Sequence, residues 1–117
     1  MSWIINFEDN FEIEFEELNE TVQDECFAHL ASLARFGPEL GRPNVDTLNG
    51  SKYANMKELR FNADNGVWRL AFAFNPKRQA ILLACGDKSG VSKKRFYKVL
   101  IKQADKRFEK YLSTLEM

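Results

Sequence analysis

The strongest constraint on this chain lies between Lys57 and Cys85, where two alternating segments and one apolar run are separated by two turn signals. Lys57-Glu58-Leu59-Arg60-Phe61 alternates apolar and charged side chains, and Asp64-Asn65-Gly66 supplies residues suited to a tight turn. Val67 to Asn75 then alternates again, with Trp68, Leu70, Phe72 and Phe74 on one side. Pro76-Lys77-Arg78 makes the next turn, and Ala80 to Cys85 is an apolar run of the kind found in a central strand. The pattern predicts a β-meander.

The flanking sequence supplies helices. Trp3 to Phe7 reads as a first strand closed by Glu8-Asp9-Asn10. Asp9 with Glu12 matches a capping box, after which Phe11, Phe15 and Leu18 recur at helical spacing, although Phe11, Ile13 and Phe15 also alternate as a strand would. Asn19 caps a second helix with the stripe Val22, Cys26, Leu30, Leu33 and Phe36, and Gly37-Pro38 ends it. Gly37 to Lys52, with three Gly, two Pro and two Asn, is expected to be a loop. From about Ser92 to Leu115 a long amphipathic helix carries Phe96, Leu100, Ala104, Phe108, Tyr111 and Leu115 in its stripe. The expected fold is α+β: two early helices and a C-terminal helix packed on a small antiparallel sheet, with residues 1–117 as a single domain.

Composition narrows the function classes. The chain has 117 residues, 44% hydrophobic, and its ten Phe, two Trp and three Tyr supply large side chains for a core, which excludes disorder as the main description. No apolar run is long enough to span a bilayer, and the N-terminus lacks the basic start and apolar stretch of a signal peptide, so a cytoplasmic protein with no membrane partner is expected. Cys26 and Cys85 lie in apolar segments as buried free thiols would, and with His29 they are too few soft ligands for a structural zinc site. His29 itself sits beside the apolar stripe of the second helix and reads as a partly buried structural histidine. Seventeen basic residues balance seventeen acidic ones, but residues 1 to 50 hold two basic against eleven acidic and residues 51 to 117 hold fifteen against six. Either the second part faces an anionic partner, with nucleic acid foremost, or the two parts attract one another across the fold.

Alternation also has a chemical consequence. If Trp68, Leu70, Phe72 and Phe74 face the helices, Arg69 faces the other way among small residues, and by the same parity Glu58 and Arg60 oppose Leu59 and Phe61. Arg60 and Arg69, on strands flanking one short hairpin, should share one side of the sheet with Glu58. Forked guanidinium donors suit phosphate oxygens, but the same three residues could equally form a cross-strand ion pair on a solvated face. Lys88, in the turn Gly86-Asp87-Lys88-Ser89-Gly90, could approach this face from the strand end, and Tyr97, one turn into the last helix, could bring a hydroxyl or simply pack. The Lys93-Lys94-Arg95 run opposes the helix dipole and invites an anion, or is a solvated helix start.

Leu48 to Arg60, the run Val67-Trp68-Arg69-Leu70-Ala71-Phe72-Ala73-Phe74, the turn Gly86 to Gly90, Arg95-Phe96-Tyr97, Phe36-Gly37-Pro38 and Gly41-Arg42-Pro43 together resemble the RelE/ParE toxin superfamily. Within it the chain is similar to the HigB-like, phage-derived toxin branch of type II toxin-antitoxin systems, over nearly its whole length. The resemblance implies a RelE-like fold and a metal-independent, ribosome-assisted mRNA endonuclease that uses no cofactor, inhibits translation and is silenced by a cognate helix-turn-helix antitoxin. It also carries two other readings, a ParE-like gyrase inhibitor that cuts nothing and a phage-derived structural or interaction protein. Residue by residue it implies a site built from Lys57, Glu58, Arg60, Arg69, Lys88 and Tyr97, with Asp87 in the matching turn. Tyr53 stands where members of this branch often have histidine.

Overall fold

A computed structural model of the chain describes residues 2–115. It contains β1 (Ile4–Phe7), α1 (Asp9–Glu16), α2 (Glu20–Phe36), a 3-10 turn (Gly37–Glu39), β2 (Val45–Thr47), β3 (Met56–Ala63), β4 (Gly66–Asn75), β5 (Gln79–Asp87) and α3 (Lys93–Leu115). The strands form one sheet in the order β1-β5-β4-β3-β2. The meander is present as expected: β3 pairs with β4 and β4 with β5, both antiparallel. The sheet is not purely antiparallel, because β1 runs parallel to β5 along its outer edge.

Both faces of the sheet are covered. α1 and α2 bury Phe11, Val22, Cys26 and Leu33 against Leu59, Leu70 and Phe72. α3 buries Leu100, Ala104 and Phe108 against Met56, Ala71, Ala73 and Leu83 on the opposite face. Burying side chains of this size stabilises by about 1.5–3 kcal/mol each, so both layers hold the sheet in place. β5 has an irregularity opposite Ala71 and Phe72, where Leu83 is an extra residue in the ladder, and it places Leu83 and Ala84 on the same face. That explains an apolar run with no clean alternation.

Several sequence expectations are corrected. The cap of α1 is Glu8, whose carboxylate accepts from the Phe11 amide at 2.9 Å, and Asp9 is already helical. Ile13 is 61% exposed between buried Phe11 and Phe15, so that segment is a helix with an apolar stripe and not a strand. Phe36 and Leu115, placed on buried stripes by their spacing, are exposed because each lies at the last residue of its helix, beyond the sheet that the stripe covers. The segment expected as a loop, residues 37–52, contains a 3-10 turn and the short strand β2, which pairs antiparallel with β3. Gly37 ends α2 as expected, with φ +55 and with the Trp3 indole so close that a Cβ would collide with Nε1. Among the described residues no helix is long and apolar enough to cross a membrane.

Candidate active site

The β3–β4 register sets Arg60 directly opposite Arg69 and Glu58 opposite Ala71. The two-residue pleat then directs Glu58, Arg60 and Arg69 to the face that α3 covers, while Leu59, Phe61 and Leu70 enter the other core. Sequence parity anticipated this grouping. The sheet alone does not make a site of it, however, because an exposed trio of this kind would be a weakly interacting surface network.

α3 changes the environment. Its first turns lay Tyr97 over the sheet, and the Tyr97 hydroxyl donates to Glu58 Oε1 at 2.7 Å. Glu58 is only 4% exposed. Its other oxygen accepts from Arg60 Nη2 at 3.1 Å, and Arg69 Nε stands 3.6 Å from Oε1. A single buried carboxylate is therefore held by two guanidiniums and a phenol. Arg69 is further fixed by donating from Nη1 to the Trp68 carbonyl at 2.9 Å, and Arg60 reaches Asp46 Oδ2 at 3.4 Å. The Nε atoms of both arginines are buried with no hydrogen-bond partner.

Lys88 joins from the end of β5. Its amide donates to the Val67 carbonyl at 2.8 Å, and its ammonium lies 6.0 Å from the centre of the Tyr97 ring. Burial, then the positive charges of Arg69 and Lys93, lower its pKa from the ordinary lysine value. The Tyr97 phenol is pushed the other way, upward, by burial and then by its hydrogen bond to Glu58, so it remains protonated at neutral pH. Asp87 shapes the turn that presents Lys88. Its Oδ1 accepts from the Val67 amide at 3.0 Å and from the Ser89 amide and hydroxyl at 2.9 and 2.6 Å. Burial raises the Asp87 pKa, but the Ser89 and Val67 hydrogen bonds outweigh it and hold the carboxyl below its usual value.

A cleft of about 670 Å³ opens over these groups, lined in part by Asp46, Glu58, Arg60, Lys93, Lys94 and Tyr97. With Arg69 and Lys88 beside it, five cations meet two carboxylates, which suits a phosphate-bearing ligand. Of the expected site residues, Glu58, Arg60, Arg69, Lys88 and Tyr97 are brought together. Lys57 is not: the pleat sends it to the opposite face, and its ammonium donates to Thr47 Oγ1 at 3.0 Å. His29 lies on that opposite face too, against the Phe61 ring and with Nδ1 at 3.0 Å from the Glu25 carbonyl. Tyr53 packs edge-on to Phe108 under α3. Asp46 was missed because β2 is too short, at three residues, to show a period within a Gly- and Pro-rich stretch.

Comparison with known proteins shows what the chain is similar to. A profile of the family described as Phage derived protein Gp49-like matches residues 13–109. Two Mycobacterium tuberculosis proteins that carry toxin names are similar in sequence. HigB2 is 45% identical over 91 residues, covering 77% of this chain and 45% of that protein. HigB3 is 53% identical over 78 residues, covering 67% of this chain and 66% of that protein. The chain thus spans about half to two thirds of the length of these relatives. A double-arginine variant of the E. coli toxin RelE in the free state shares the fold at TM-score 0.63 and 15% identity, over 92% of this chain and 98% of that one. The isolated E. coli RelE toxin also matches, at TM-score 0.51 and 13% identity, over 83% of this chain and 95% of that one.

Proposed function

Because this chain belongs to the Gp49-like family of phage-derived proteins, within the HigB-like branch of the RelE/ParE toxins, we propose that it is the toxin of a type II toxin-antitoxin pair and cleaves mRNA without a metal, assisted by the ribosome. The observation that carries this reading is buried Glu58, gripped by Arg60 and Arg69 on one side and by Tyr97 on the other, at the floor of a cationic cleft.

In such cleavage an RNA 2′-oxygen bonds to the adjacent phosphorus as the bond from phosphorus to the 5′-oxygen breaks, leaving a 2′,3′-cyclic phosphate and a 5′-hydroxyl. Arg60 and Arg69 hold the phosphate and stabilise the charge that builds on its oxygens with their guanidinium donors. Glu58 accepts the 2′-hydroxyl proton. Tyr97, kept protonated, orients Glu58 by its hydrogen bond and moves to the phosphoryl oxygen as the substrate enters. Lys88, with its lowered pKa, supplies positive charge and the proton for the departing 5′-oxygen. A cognate antitoxin of the helix-turn-helix type keeps the site silent, and the chain acts in the cytoplasm as one domain.

Primer extension on RNA from cells expressing the protein tests the reading. Loss of one such electrostatic donor costs about 2–4 kcal/mol, so Arg69→Ala should cut roughly 10²–10³-fold more slowly. Equal cutting by both proteins removes Arg69 from the mechanism. If the unmodified protein cuts nothing but stops gyrase supercoiling, the ParE-like reading replaces this one.

A further inference from the structure

α3 carries a feature that extends well beyond the cleft. Lys94, Lys98, Lys102, Lys106 and Lys110 recur every four residues and all are exposed. The core side chains Phe96, Leu100, Ala104, Phe108 and Leu112 keep the same rhythm, offset by two positions. Two helical residues turn through about 200°, so the lysines follow the ridge pointing away from the sheet. The ridge begins at Lys94 in the cleft lining and runs about 24 Å to Lys110.

An ordinary solvent-facing ridge mixes acids with lysines at this spacing and gains from each opposite pair, whereas this one places like charges at every step. None of the five lysines enters an ion pair among the described residues. The two acids of α3 in the described residues are committed elsewhere, Asp105 to Ser51 Oγ and the Lys52 amide and Glu109 to the Lys52 ammonium. The acid-rich helices α1 and α2 lie across the sheet, and Arg107 alone among the described ion pairs of α3 reaches them. Attraction between the two parts of the fold therefore leaves the row untouched. A regular series of flexible ammonium groups on one ridge fits a regular series of phosphates, with no sequence reading required.

We propose that this lysine row is a docking track for RNA phosphodiester backbone, leading out of the cleft along the outer ridge of α3. The choice of RNA as the polyanion rests on the nuclease reading above. The occupant is the single strand that leaves the cleft, because the row starts at Lys94 in the cleft lining and continues outward from it.

The test replaces Lys98, Lys102, Lys106 and Lys110 together by Gln and leaves the cleft intact. Binding of the unmodified chain and of the variant is measured between about 50 and 200 mM salt to a 2′-O-methyl trinucleotide, a 2′-O-methyl dodecanucleotide and purified small ribosomal subunits. Each phosphate neutralised on a single strand adds roughly 0.7 to the log–log salt slope, so removing four ammonium groups flattens the slope for the dodecanucleotide by about 2–3, and its affinity at about 100 mM drops by tenfold or more. The trinucleotide binds both proteins equally. A drop seen on ribosomal subunits and not on the dodecanucleotide overturns the single-strand track, since the row would then hold structured RNA. Unchanged affinity for all three probes overturns the proposal. So does unchanged RNA affinity with self-association at low salt that the substitutions abolish, which would make the row an interface between copies. Thermal unfolding of the variant guards against misfolding, and removal of like-charge repulsion should leave it no less stable. Failure of the unmodified protein to cut mRNA on ribosomes refutes the nuclease reading alone, because the binding comparison does not depend on scission.

Discussion

Replacing Glu58 by Gln keeps the shape of the side chain and removes its charge from the middle of the arginine pair. The amide oxygen can still accept from the Tyr97 hydroxyl, which stands 2.7 Å from Oε1. What is lost is the charge-assisted bond from Arg60 at 3.1 Å and the attraction to Arg69 at 3.6 Å, where the Arg69 side chain is only 13% exposed. A charge-assisted hydrogen bond contributes about 1.5–3 kcal/mol, and the second ion pair adds to it, while a neutral amide is cheaper to bury than a carboxylate. The facing Arg60 and Arg69 also lose the anion that separates them. These effects combine to about 2 kcal/mol of lost stability, or a fall in Tm of about 8 °C for a chain of this size. The amide cannot take a proton, so cleavage measured well below Tm should slow by about 10²–10⁴-fold. Thermal unfolding by circular dichroism reads the first quantity, and single-turnover cleavage of a labelled mRNA on ribosomes reads the second. Unchanged Tm refutes the electrostatic role of Glu58, and cleavage within twofold of the unmodified protein refutes its role in proton transfer. The two outcomes are independent, so stability lost with full activity retained would leave Glu58 as a scaffold only. An Arg69→Met background sharpens the result, because residues sharing one network show non-additive changes in a double-mutant cycle.

Elsewhere, Arg107 is 9% exposed and joins α3 to α1 through a pair of bonds to Glu14 at 2.9 and 2.5 Å, with the α1 cap Glu8 at 3.9 Å. Arg107→Met removes both bonds to Glu14, the bond to the Leu83 carbonyl and the countercharge beside buried Glu8, and should cost about 2–3 kcal/mol in urea unfolding with an unchanged m value; a cost below about 0.5 kcal/mol would contradict this account. Burial raises the Cys26 thiol from 9.0 to about 12 and raises Cys85 as well. Since the native state keeps protons that the unfolded chain releases, their contribution is fully present below pH 9 and is lost as pH rises from about 9 toward 12, with a slope of up to about 1.4 kcal/mol per pH unit per thiol. Stability that does not fall above pH 9, or fast reaction of native Cys26 with a thiol reagent at pH 8, would count against it.

Local periodicity made much of this molecule legible from its sequence. The period-two alternation of residues 57–61 and 67–75 and the turns between the apolar segments determined the meander, and the four-residue rhythms of α2 and α3 determined which sides those helices bury. Parity alone put Glu58, Arg60 and Arg69 on one face, because a pleat alternates whatever packs on it. The tertiary structure decided which face each helix covers, and that choice depends on surfaces contributed by distant segments. Only after α3 docked did Tyr97 meet Glu58, 39 residues away, and turn an exposed ion pair into a buried hub beneath a cleft. The same packing excluded Lys57 from the site, drew Asp46 in through a three-residue strand, and joined Arg107 to Glu14 across 93 residues. No local pattern encodes such pairings, because their free energy comes from burial and charge pairing between elements whose meeting the whole fold fixes.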